Sequence, residues 1–151
     1  MKKVLPILLM LFCMLTACTR ANDNLVVFED MRCTAGEEIW QAFYQKVSNG
    51  ESASVEFEQR YTDEQGVTTH LGSLRYDGHV FTLKDPEIDQ TYRYLMHYTG
   101  EPSSPYATFS HYEYYVLVND DSVTWEDIEH GMFSSQFGDQ IDHYTVYANL
   151  T

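Results

Sequence analysis

Basic residues are scarce in this chain: nine lysines and arginines stand against 23 aspartates and glutamates, for a net charge of −14. A field of that sign repels polyanions. No basic stripe is present to neutralise phosphates, so nucleic acid is excluded as a partner and adhesion of the domain itself to anionic headgroups is disfavoured. Signatures of chemistry are missing too. There is no Gly-x-Ser-x-Gly elbow, no glycine-rich loop to cradle phosphate, no dinucleotide fingerprint and no His-Glu-x-x-His pair. The cysteines, Cys13, Cys18 and Cys33, form no Cys-x-x-Cys motif. Carboxylate pairs are plentiful, but Glu37-Glu38 and Glu126-Asp127 are already accounted for by the positive ends of predicted helices. No fixed-period repeat or low-complexity tract interrupts the chain. These absences argue against an enzyme, and no cofactor is expected.

What is present begins at the amino terminus. Met1-Lys2-Lys3 is a short positive start, Val4 to Met14 is an apolar run broken only by Pro6, and Leu15-Thr16-Ala17-Cys18 follows at once. This is the layout of a secretory signal. The run is shorter than the ~20 residues a permanent membrane helix needs, which favours cleavage. Leu15-Thr16-Ala17-Cys18 resembles the lipobox of bacterial lipoproteins at every position. The resemblance implies that residues 1–17 are a signal peptide, that the Cys18 thiol receives a diacylglyceryl group, and that Cys18 becomes the mature amino terminus. The implied partner is then a membrane, reached through the lipid on Cys18. Each buried methylene contributes about 0.8 kcal/mol, so the acyl chains give lasting attachment.

Position 19 is Thr, where the family's inner-membrane retention mark is Asp. The resemblance therefore leaves two destinations: the outer face of the cell membrane, or the outer membrane in a Gram-negative cell. Loss of Lys2 and Lys3 leaves seven basic residues against 23 acidic ones, a net charge of −16. Cys33 becomes the sole free thiol, which reads as a small buried hydrophobe near a helix start, with a reactive thiol as the alternative.

Residues 18–24 read as a lipidated tether and 25–151 as one α+β domain, the remainder being long enough for a single core. Leu25 to Phe28 can form a brief strand. Thr34 and Glu37 have capping-box spacing ahead of Ile39, Trp40, Phe43, Tyr44 and Val47, which share one helical face, and Asn49-Gly50 ends that helix. From Ala53 the period becomes two. Val55, Phe57 and Tyr61 alternate with charged residues, Asp63 to Gly66 turn the chain, and Asp77-Gly78 makes a second tight turn. Thr62 opposite Val67 and Tyr76 opposite His79 would place Val55, Phe57, Leu74, Phe81 and Leu83 on one face.

A further hairpin is predicted between residues 90–99 and 108–119, with rows of tyrosines facing a core. Thr124 and Asp127 form another capping box, opening a short helix with Trp125 and Ile128 inward, and residues 144–150 alternate as a last strand. The expected architecture is an antiparallel meander packed against an N-terminal amphipathic helix, with a second short helix before the last strand. In Trp40-Gln41-Ala42-Phe43-Tyr44 through Asn49-Gly50, and in Arg60-Tyr61-Thr62, the mature region loosely resembles uncharacterised small lipoprotein domains of Gram-positive bacteria. That resemblance covers the first half of the region and implies no activity.

One metal site can be drawn. If the hairpin is centred on Ser104, His97 lies across from His111 and Glu113 shares their face, a ligand set suited to zinc. That site is the alternative; the leading reading is a non-enzymatic envelope protein whose sheet or exposed tyrosines contact an envelope protein or ligand.

Overall fold

The computed structural model describes residues 25–30, 32–102, 106–133 and 140–151. Its elements run β1 (Leu25–Glu29), β2 (Arg32–Ala35), α1 (Glu37–Ser48), β3 (Ala53–Asp63), β4 (Gly66–Tyr76), β5 (Phe81–Lys84), β6 (Asp89–Tyr92), β7 (Tyr94–Gly100), β8 (Tyr112–Val118), α2 (Trp125–Phe133) and β9 (His143–Leu150). Among the described residues the fold is mixed, mostly sheet with two helices, and the second of these precedes the last strand.

The expected single meander is corrected. The strands form a six-stranded sheet, ordered β2-β1-β3-β4-β5-β6, and a three-stranded sheet, β7-β8-β9. β1 pairs parallel with β3, Leu25 opposite Glu56, because α1 carries the chain across between them. The chain changes sheets at Arg93. Tyr92 pairs with Phe81 in the first sheet, whereas Tyr94 pairs with Val118 in the second. The break lets Tyr92 fill one core while Tyr94 packs against another.

The larger core lies between the six-stranded sheet, α1 and one face of the three-stranded sheet. Val26, Phe28, Val55, Phe57, Leu74, Phe81 and Leu83 meet Trp40, Phe43, Tyr115 and Tyr147 there. The inward row drawn from the sequence is therefore present. Thr62 is opposite Val67, but Tyr76 is opposite Phe81. Asp77 Oδ1 accepts from the amides of His79 and Val80, both at 2.9 Å, so the connection is longer than a two-residue turn. A shift of two residues preserves every facing, which is why the core residues survive the change.

α1 starts differently from its predicted capping box. Thr34 stays in β2, its hydroxyl donating to the Val27 carbonyl at 3.4 Å. The cap is Gly36, at φ 78°, whose carbonyl accepts from the Ile39 and Trp40 amides. The other end follows expectation: the Gly50 amide donates to Val47 and the Glu51 amide to Lys46, with Gly50 at φ 74°.

Candidate functional site

Of the three residues drawn together as a metal site, two meet and one does not. The β7–β8 register sets His97 opposite Tyr115, leaving Glu113 opposite Thr99, diagonal to His97. His97 Nε2 lies 2.9 Å from Glu113 Oε1. The His97 ring stacks on Tyr115, centroids 4.2 Å apart and planes 8° apart, and the Tyr115 hydroxyl donates to the same carboxylate oxygen at 3.3 Å. Burial, with that carboxylate beside it, pushes the Tyr115 hydroxyl above its ordinary pKa.

His111 lies outside β8, its amide donating to the Thr151 carbonyl at 2.9 Å and its ring against Tyr112. Four residue positions along the strand separate it from the level of His97, about 13 Å at strand rise. His111 therefore does not stand beside His97 and Glu113, and no group of three or more metal-ligating side chains is gathered among the described residues. The hairpin centre at Ser104 and Cys18, the residue expected to carry lipid, both lie outside the described residues. Cys33 is a free, half-buried thiol. Burial raises its pKa, and Glu37 adds to the rise, which is the opposite of activation.

An aromatic concave site lies on the other face of the three-stranded sheet, beside α2. Thr124 and Asp127 build the helix start as expected: the Thr124 hydroxyl and amide donate to Asp127 Oδ2 at 2.6 and 2.9 Å, and the Asp127 amide donates back at 3.2 Å. Those bonds hold the Asp127 carboxyl below its usual range. The Tyr98 hydroxyl donates to the Val123 carbonyl at 2.7 Å, tying β7 to the approach to α2. Trp125 is thereby fixed over β8. Its ring stacks on Tyr114, with centroids 4.4 Å apart and planes at 15°, and Tyr112 stands 5.6 Å from Trp125 and 5.4 Å from Tyr114.

These rings, with Tyr106 and Phe109, line a cleft of about 400 Å³. Among the described residues its charged lining residues are Glu101, Glu126 and Glu129, and none of them is basic. The acids act on the rings: burial raises the Tyr112 pKa, and Glu129 and Glu126 raise it further. Gly100, opposite Tyr112 in the ladder, leaves room for that ring, since a Cβ there would stand 2.5 Å from the Tyr112 hydroxyl. A larger depression of about 640 Å³ lies along Leu25, Glu56, Glu58, Leu71 and Lys84, but it is open and carries charges of both signs.

Reading the sequence assigns Trp125 to the core and Glu126, with Asp127, to the helix dipole. The available signal was spacing: Trp125 and Glu129 are four residues apart on one helical face, with Tyr112 and Tyr114 alternating on a strand. Comparison with protein families, characterised proteins and solved structures gives no match.

Proposed function

We propose that this chain is a lipid-anchored protein of the bacterial envelope whose folded domain is a non-enzymatic binding module facing away from the cytoplasm. The observation that carries the reading is Leu15-Thr16-Ala17-Cys18 directly after a short apolar run with a dibasic start. Lipid on Cys18 attaches the domain to the membrane, and residues 18–24 space it from the surface. Among the described residues no helix is long and apolar enough to cross a membrane. The aromatic cleft at α2 supports a binding role, because concave sites of about 300–1,000 Å³ lined by rings and a few polar groups are the common form of small-ligand sites.

The test is a comparison of the full chain with Cys18→Ala in bacterial cells. The parent is expected at the cleaved, lipid-bearing size in the membrane fraction, released by detergent and not by high salt. The variant is expected to lose lipid-dependent processing. Normal processing and anchoring of Cys18→Ala contradict the reading.

A further inference from the structure

We propose that the cleft between α2 and the β7–β8 face binds a small organic ammonium compound, with Tyr112 and Trp125 as its aromatic wall and Glu101, Glu126 and Glu129 as its countercharge. The inference rests on reading the domain as a binding module and adds the site and the ligand class.

Three observations converge on that chemistry. First, aromatic faces are negative, and a cation without strong hydration, such as an alkylated ammonium, gains from lying over them. Tyr112, Tyr114 and Trp125 are gathered with centroids 4.4 to 5.6 Å apart, and Tyr112 and Trp125 are only half-buried. Second, every charged group lining the cleft among the described residues is a carboxylate, so an anion is repelled there and a cation attracted. Third, the chain's net charge of −14 adds a long-range field of the same sign. The volume, about 400 Å³, suits a small molecule. A neutral polar ligand would use the rings and leave the carboxylates with no countercharge.

The test uses the full chain, purified in a nonionic detergent and titrated with choline at fixed ionic strength, alongside 3,3-dimethylbutan-1-ol, the uncharged molecule of the same shape. Both tryptophans emit, but Trp40 is fully buried in the larger core and away from the cleft, so a change in fluorescence on adding choline reports Trp125. The expected result is a saturable change with choline and none with the alcohol. The double variant Glu126→Gln/Glu129→Gln alters surface carboxylates and should bind choline about tenfold more weakly. An equal response to the alcohol, an unchanged affinity in the double variant, or no response to choline overturns the inference. The state of Cys18 is read separately by its lipid. A lipid-bearing protein that ignores choline therefore sinks the ligand assignment alone, whereas an unlipidated one that binds choline sinks the anchoring alone.

Discussion

The ring of Trp125 stacks on that of Tyr114 at 4.4 Å with planes 15° apart, and this contact joins α2 to the middle strand of the smaller sheet. Tyr114 is buried, whereas Trp125 keeps part of its ring exposed toward Glu126 and Glu129. The same contact thus serves as the edge of a core and the wall of a cleft. Both faces of β8 are covered, by α2 on one side and by the larger core on the other.

Gly36 is expected to tolerate no side chain. Its φ of 78° is left-handed, and a Cβ would stand 2.5 Å from the Leu25 carbonyl oxygen, which belongs to the β1 backbone and cannot swing aside. Gly36→Ala should destabilise the domain by about 2 kcal/mol or more, measured by urea unfolding. Parental stability would mean that α1 does not start as described.

Tyr147→Phe is expected to leave the domain as stable or to stabilise it by about 1 kcal/mol. The ring is fully buried between Trp40, Phe28 and Tyr115, and among the described residues its hydroxyl meets no nitrogen or oxygen partner, only the weakly bonding thiol of Cys33. Removing the oxygen keeps the ring contacts and relieves a buried polar group. Thermal or urea unfolding of the variant decides it, and a large loss would show that the hydroxyl is bonded.

Stability is expected to fall steeply in alkali. Burial raises the pKa of Tyr115, Tyr144 and Tyr147 above the ordinary value, with Asp85 adding to Tyr144 and Cys33 to Tyr147. Because these hydroxyls stay protonated in the folded state after they ionise in the unfolded chain, the unfolded state binds fewer protons above pH ~10. The stabilisation is complete below that pH and lost progressively above it. Absorbance at the phenolate band should show fewer tyrosines ionised in native than in urea-unfolded protein; coincident titrations would contradict the packing.

Zinc is expected to ignore His111. With His111 about 13 Å along the strand from the level of His97, His111→Ala should leave any calorimetric zinc response unchanged. A one-site response abolished by that substitution would restore the shared site.

How far the sequence could be read depended on whether partners were local. The β3–β4 hairpin was legible to the residue, Thr62 opposite Val67, because its turn and its alternation are both local. The helix end at Asn49-Gly50 was legible for the same reason. The parallel pairing of Leu25 with Glu56 was not, since no local pattern names a partner across a helix. Nor was the change of sheet at Arg93: Tyr92, Tyr94, Met96 and Tyr98 alternate without interruption, and only the packing separates Tyr92 from the rest. At the proposed metal site the even-numbered slip in register kept His97 and Glu113 on one face while moving His111 off the strand. The aromatic cleft was hidden because its tyrosines read as core residues, which in part they are.

The most direct test of the anchored-domain reading is the mass of the amino-terminal peptide of the protein recovered from bacterial membranes. The expected peptide begins at Cys18 and carries a diacylglyceryl thioether. A peptide that begins at Met1, or one cut elsewhere with Cys18 unmodified, would contradict it.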